Sequence, residues 1–160
     1  MQHRLPELAA STSVTAVMAS PVVTVDEEAP VRDMIRLFVA GGIGAAPVVN
    51  PRGEPVGVVS KTDVLRAVYE DPSCASPRLA AEPEAEAESE PSEQGSDLRA
   101  HDLMTPGPLT VPESSSVAEA ASIMAREHVH RLFVTGRAGT LIGVLSAMDL
   151  VEWLAPDDQA

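Results

Sequence analysis

The sequence predicts an α/β (α+β) fold built from two copies of one β-α-β-β-α unit. Met18 aligns with Met104, and Asp63 with Asp149, at one offset and without a gap between them. In each copy, strands rich in β-branched residues flank helices that have an apolar face. A unit of this size needs a neighbour to bury its open face, so we expect the two copies to pack together.

Each copy opens with a short predicted strand, at 22–25 and 109–111, followed by an amphipathic helix. The helix carries apolar residues at i, i+3, i+4 and i+7, which predicts one buried face. These residues are Val31, Met34, Ile35 and Phe38 in the first copy and Val117, Ala120, Ala121 and Met124 in the second. Pro30 suits the start of the first helix, and Ser116 with Glu119 predicts a capping box at the second.

Two strands and a second helix complete each copy. The first of these strands is predicted at 45–49 and 131–135 and leads into a turn that contains glycine. The returning strand and the helix after it are predicted at 55–59 and 61–69 in the first copy and at 141–145 and 147–154 in the second. A short helix that ends in methionine is expected ahead of each copy, at 14–18 and 98–104.

The repeat also predicts the domain organisation. We expect an N-terminal tail, a first unit, a linker, a second unit and a C-terminal tail, with bounds of 1–12, 13–70, 71–96, 97–155 and 156–160. The linker alternates Glu with Ala, Pro and Ser, a composition that cannot form a core and favours an extended, solvated tether. It holds the single cysteine, Cys74, which excludes an intrachain disulfide and is expected to be a spectator thiol.

Composition and charge exclude several classes of partner. The formal net charge of −13 repels nucleic acids and anionic lipids, and an aromatic content of 2% provides few rings to stack on bases. No segment approaches the ~18 apolar residues that span a bilayer, and the start of the chain has no signal-peptide core. We therefore predict a cytoplasmic protein that binds neither nucleic acid nor membrane.

A Gly-x-x-Ser-x-x-Asp motif lies at the strand-to-helix junction of each copy. It consists of Gly57, Ser60 and Asp63 in the first copy and of Gly143, Ser146 and Asp149 in the second. Ser and Asp at this spacing cap a helix and need no ligand to explain them. The alternative is a binding site, in which the glycine lets a ligand approach, the helix N-terminus and Ser hold a phosphate, and Asp binds ribose hydroxyls. Lys61 would add a cation to the first site.

Other motifs predict no further chemistry. His128 and His130 share one face of a predicted strand at a spacing suited to a metal, but no Cys or carboxylate cluster accompanies them, so no metal site is predicted. The glycines at 41–44 lack the lysine of a phosphate-binding loop and indicate a turn. No nucleophile is paired with a base, so we predict that the protein is no enzyme.

Further motifs accompany the doubled junction. They are the openings Met-x-x-x-x-Val/Leu-Thr-Val and the central strands Ala-Pro-Val-Val and His-Arg-Leu-Phe-Val. With these motifs in this order, the chain resembles the tandem cystathionine-β-synthase-type domain pair, called a CBS pair or Bateman module. The resemblance implies two units packed about a pseudo-twofold axis, with clefts that bind AMP, ADP, ATP or S-adenosylmethionine. It also implies a homodimer, an unidentified regulated protein, and no required cofactor.

The resemblance implies a role for each matching residue. The implied contacts are with ribose at Asp63 and Asp149, with phosphate at Ser60 and Ser146, with the nucleoside at Thr24 and Thr110, and with the base through the backbone at Ala46 and Leu132. The second copy has Ala147 where the first has Lys61, so we expect unequal sites. Arg131 would supply the missing charge, or it is an ordinary surface or ion-pair arginine of a strand. The alternative is a ligand-free interaction or dimerisation scaffold whose Ser and Asp pairs only cap helices.

Overall fold

A computed structural model describes residues 4–72 and 98–155 of the chain. The elements before the linker are α1 (Arg4–Ser11), a 3-10 helix (Val14–Ala16), β1 (Val25–Asp26), α2 (Val31–Gly41), β2 (Ala45–Val49), β3 (Pro55–Ser60) and α3 (Lys61–Glu70). Those after it are α4 (Ala100–Leu103), β4 (Thr105–Pro106), β5 (Thr110–Pro112), α5 (Val117–Glu127), β6 (Arg131–Thr135), β7 (Leu141–Ser146) and α6 (Ala147–Leu154). Both copies have the predicted β-α-β-β-α order, and the predicted fold class is confirmed.

Several predicted segments differ from the observed ones at their ends. The predicted linker from residue 73 onward, Cys74 and the predicted tail at 156–160 lie outside the described residues. The residues predicted as an N-terminal tail include α1, whose Ala9 packs against an apolar core. A helix this short is marginal by itself, so it depends on that packing, which no local pattern reveals. Among the described residues, no helix has both the length and the apolar character needed to cross a bilayer.

The central helices α2 and α5 bury the faces that their apolar stripes predict. The fully buried positions are Val31, Met34 and Phe38 in α2 and Val117, Ala120 and Met124 in α5. Ala121 is exposed, so its predicted place in the stripe is wrong. Ile123 packs against the core instead, because a long side chain at the margin of the buried face covers more apolar surface than an alanine.

These two helices end in the same backbone conformation but with different residues. Gly42 follows α2 with φ 61°, and His128 follows α5 with φ 54°, both in the left-handed region. Because His128 ends a helix and β6 begins at Arg131, the prediction that His128 and His130 share a strand face is wrong. Within residues 4–72 and 98–155, no group of three or more potential metal ligands occurs.

The described chain divides into two compact units that cross the repeat boundaries. Unit 1 contains the described residues of Met1–Val23, Val49–Pro55 and Gly107–Ala160, and unit 2 contains those of Thr24–Val48 and Val56–Pro106. Each unit therefore joins one copy to the residues that precede the other copy. We call residues 13–21 the N-terminal exchanged segment and residues 98–106 the central exchanged segment. The sequence bounds 13–70 and 97–155 stay predictions, and the compact units do not follow them.

Unit 1 contains a three-stranded sheet in the order β5-β6-β7. Strand β5 is parallel to β6, and β7 is antiparallel to it. The N-terminal exchanged segment borders β7, because Ala19 forms a bridge with Val144 and Ser20 Oγ donates to the Ile142 carbonyl at 2.9 Å. Val14 of the same segment is fully buried in the core of this unit.

The four-stranded sheet of unit 2 has the order β1-β2-β3-β4. Strand β4 belongs to the central exchanged segment and is antiparallel to β3, with Pro106 opposite Gly57 and Thr105 opposite Val58. Ala100 of the segment is fully buried in the core. The second copy thus contributes an edge strand to the sheet of the first copy.

Candidate functional site

The junction of the first copy lies in unit 2, where β3 runs directly into α3. Ser60 is the N-cap of α3, and its extended backbone turns the strand into the helix. Asp63 Oδ2 accepts hydrogen bonds from Ser60 N at 2.8 Å and from Ser60 Oγ at 2.5 Å, while Asp63 N donates to Ser60 Oγ at 3.3 Å. The predicted capping chemistry is therefore present in full.

The junction of the second copy, in unit 1, repeats this arrangement between β7 and α6. Asp149 Oδ2 accepts from Ser146 N at 2.6 Å and from Ser146 Oγ at 2.7 Å, and Asp149 N donates to Ser146 Oγ at 3.1 Å. Both Ser and both Asp side chains are half-buried. In each pair one carboxylate oxygen is occupied by the cap, and within the described chain no group donates to the other, Oδ1.

A positively charged side chain lies beside each junction, but it comes from a different element. Lys61 is the first residue of α3 and follows the capping serine directly. Arg131 is the first residue of β6 and is the cross-strand partner of Ser146 on β7. Both side chains are exposed, and in residues 4–72 and 98–155 neither forms an ion pair. Each junction therefore combines a helix N-terminus, a hydroxyl, a carboxylate and a cation with no carboxylate partner.

The two motif glycines do not offer their space to a ligand, which corrects the prediction for Gly57 and Gly143. A Cβ atom at Gly57 would lie 2.7 Å from Met104 Cγ, and one at Gly143 would lie 2.9 Å from Met18 Cγ. In both cases the methionine Sδ lies closer still. The glycines are thus required by methionines of the exchanged segments. The sequence contained a sign of this contact, because Met18 and Met104 occupy equivalent positions of the repeat, as Gly57 and Gly143 do.

The remaining predicted residues lie on the strands next to the junctions. Thr24 immediately precedes β1 and Thr110 begins β5, and both are exposed. Ala46 in β2 and Leu132 in β6 are 1% and 0% exposed as whole residues, so neither presents a side chain at the surface and their contact with a base stays a prediction. Each unit contains one set: Thr24, Ala46, Ser60, Lys61 and Asp63 in unit 2, and Thr110, Arg131, Leu132, Ser146 and Asp149 in unit 1.

The register of the unit 1 sheet shows how its set is brought together. Thr110 lies beside Phe133 on β6, and Arg131 lies opposite Ser146 on β7. Thr110 on β5 is therefore one strand away from Arg131 and two positions from it in register. This neighbourhood depends on the pairing of three strands, and the sequence spacing does not reveal it.

A depression in unit 2 adds a residue that the sequence analysis did not consider. It has a volume of about 380 Å³ and is lined by α3 and α4, including Asp63, Arg66 and Asp102. Arg66 lies three positions after Asp63, and residues with this spacing share a helix face. That spacing is the signal that points to Arg66 as a second cation near the carboxylate of the first junction.

The chain belongs to the CBS domain family. The model of this family, described as the CBS domain, matches residues 14–70 and 100–156 and thus both copies. The chain is 29% identical over 149 residues to the uncharacterized protein MJ1426 of Methanocaldococcus jannaschii, and the alignment covers 86% of this chain and 88% of that protein. The predicted tandem CBS pair is confirmed.

A solved structure and a longer relative extend this similarity. CBSX2 of Arabidopsis thaliana, in a crystal structure with AMP, is 25% identical with a TM-score of 0.64, covering 90% of this chain and 96% of that one. The 5'-AMP-activated protein kinase subunit gamma-3 of Homo sapiens is 31% identical over 128 residues. That alignment covers 80% of this chain but 23% of the subunit, so the chain spans only part of this relative.

Proposed function

We propose that the protein is a regulatory module that binds an adenosine nucleotide or a related adenosyl ligand at its two junctions. The observation that carries the proposal is that each junction joins a capped helix N-terminus, a carboxylate and a cation with no partner. Phosphate groups bind where backbone N–H groups, a hydroxyl and a positive charge converge. The structure of CBSX2 with AMP supports this class of ligand.

The chemistry of a nucleotide divides among the residues of each junction. The single proton of the Ser60 or Ser146 hydroxyl, which donates to the aspartate in the cap, turns to the phosphate when the ligand binds. Lys61 or Arg131 offsets the repulsion from the neighbouring carboxylate. The ribose hydroxyls donate to the carboxylate Oδ1 of Asp63 or Asp149, which the cap leaves accessible to a donor.

The nucleoside end of the ligand contacts the strands. Thr24 and Thr110 lie near the nucleoside, and main-chain groups at Ala46 and Leu132 recognise the base. Discrimination of adenine then depends on backbone hydrogen bonds, because alanine and leucine side chains have no polar atom to offer the base. AMP, ADP, ATP and S-adenosylmethionine share the adenosine part that this arrangement recognises.

The proposed role is regulatory rather than catalytic. Binding at the junctions changes the activity of another protein if the ligand has different affinities for two states of the module. Self-association as a homodimer is part of the proposal. The regulated partner, the cytoplasmic location and the absence of nucleic acid or membrane binding stay predictions from the sequence.

A ligand-free scaffold is the second candidate function. The observation in its favour is that Ser60 with Asp63, and Ser146 with Asp149, satisfy one another through three hydrogen bonds each. Helix capping alone accounts for those bonds. The two candidate functions differ in whether the carboxylates of Asp63 and Asp149 also bind a ligand.

Isothermal titration calorimetry with AMP, ADP, ATP and S-adenosylmethionine tests the proposal. We expect at least one of them to bind the wild-type chain, and Asp63→Ala with Asp149→Ala in one chain to weaken binding at both sites by about tenfold or more. Glu119→Ala is the matched control, because Glu119 forms the same capping box with Ser116 at α5, away from both motifs. If none of the four ligands binds, or if the Glu119 variant loses binding equally, the scaffold is the better description.

A further inference from the structure

The two exchanged segments make the same contact in opposite directions. Met104, which opens the second copy, fills the space above Gly57 of the first copy in unit 2. Met18, which opens the first copy, fills the space above Gly143 of the second copy in unit 1. Each methionine therefore packs against the strand that ends in the capping serine of the other copy.

The central exchanged segment is attached to unit 2 along its length. Ala100 N donates to the Ala29 carbonyl at 2.9 Å, and His101 N donates to the Glu27 carbonyl at 3.0 Å. Its strand β4 pairs with β3 next to Gly57. A movement of β3 that displaces Met104 from its Cβ outward therefore acts on this segment.

The same segment leads directly into the candidate site of unit 1. Only three residues, 107–109, separate β4 from β5, and Thr110 begins β5. Strand β5 is attached to β6 by Phe133 N, which donates to the Leu109 carbonyl at 3.0 Å, and by Glu113 N, which donates to the Thr135 carbonyl at 2.8 Å. These three residues are the covalent link through which a displacement of β4 reaches β5.

We propose that the central exchanged segment couples the two candidate sites, with Met104 as a positioning residue for the site that contains Thr110 and Asp149. The ligand at each site rests on the proposed function. The state of the Ser60 junction in unit 2 sets the packing of Met104 on Gly57, and that packing sets the position of Thr110 in unit 1. Affinity at either site then depends on the other, and this dependence is reciprocal for binding free energies.

Gly57→Ala tests the coupling, because its new Cβ must displace Met104. The substitution and Met104 both lie in unit 2, whereas the quantities measured belong to unit 1. The first readout is hydrogen exchange of the Phe133 and Glu113 amides, whose protection we expect to fall about fivefold or more. Adding Met104→Ala removes the clashes with Sδ and Cγ and leaves a Cβ–Cβ distance of 3.0 Å, so we expect most of the protection to return. Gly44→Ala is the control for the substitution itself, since a Cβ there meets nothing within 4 Å.

The second readout is AMP affinity in the Asp63→Ala background, where the Asp63 site is weakened and the Asp149 site dominates binding. We expect Gly57→Ala to weaken this affinity about fivefold or more, and Met104→Ala in the same chain to restore most of it. Val48→Ala, at a fully buried position of unit 2 that lies off the segment, controls for lost stability.

The coupling is overturned if amide protection is unchanged in the Gly57 variant, or if the Val48 variant lowers it equally. If AMP does not bind the wild-type chain, the proposed function fails for AMP, and the exchange measurement still decides the coupling. Unchanged AMP affinity in a chain that binds AMP contradicts the coupling alone.

Discussion

The Ser60 junction of unit 2 and the Ser146 junction of unit 1 share their hydrogen bonds but differ in the source of positive charge. Each serine and aspartate form the same three-bond cap. Lys61 adjoins its junction along the chain, whereas Arg131 adjoins its junction across a sheet. Local geometry is thus duplicated with the repeat, while charge is arranged separately in each copy.

The largest expected effect comes from removing one carboxylate at a time. Asp63→Ala and Asp149→Ala should each weaken AMP binding at their own site by about tenfold or more, because hydrogen bonds to charged groups contribute about 1.5–3 kcal/mol. The losses should differ, since the neighbouring cations differ. Calorimetric titration of each variant measures the factor by which its AMP affinity falls. Equal losses would contradict the asymmetry of the two junctions.

Removing the cations one at a time sharpens the same comparison. Arg131→Ala should weaken ATP binding by about tenfold, because a guanidinium binds phosphate with two parallel hydrogen bonds. Lys61→Ala should have a smaller effect of about fivefold or less, as expected for an exposed point charge. Neither variant should change adenosine binding, and titrations with ATP and adenosine in parallel separate the phosphate contact from the nucleoside contact.

The smallest expected effect concerns the ends of α2 and α5. Both Gly42 and His128 adopt the left-handed conformation, which is unfavourable by about 1 kcal/mol for a residue with a Cβ. Gly42→Ala should therefore lower the free energy of unfolding by about 1 kcal/mol, and His128→Gly should raise it by about 0.5–1 kcal/mol. Urea denaturation measures both changes, and stabilisation by Gly42→Ala would contradict this account.

Local features of the fold and site are predictable from the sequence. The stripe from Val31 to Phe38 and the caps at Ser60 and Ser146 depend on residues three or four positions apart. Such contacts arise within one turn of helix, so the spacing of the residues determines them. Ala121 shows the limit of this reasoning. It fits the helical spacing but is exposed, because Ile123 covers that part of the core instead.

Contacts between distant parts of the chain were beyond the sequence reasoning. The role of Gly57 was predicted as access for a ligand, and the structure gives that space to Met104. The helix α1 and the pairing of β4 with β3 also depend on residues far away in the chain. A pattern of local spacing contains no information on which distant segment completes a sheet.

The sequence by itself determined the repeat, the order of elements in each copy, and the capped junctions with Ser60, Asp63, Ser146 and Asp149. Those features follow from propensity, period and short-range hydrogen bonds. Only the tertiary structure decided that the two copies exchange their preceding segments and that Arg131 lies opposite Ser146. It also decided that Met104 and Met18 fill the space where a side chain at Gly57 or Gly143 would lie. The physical reason is that these contacts form when distant strands pair and bury apolar surface. Which strands pair depends on the free energy of the whole folded chain.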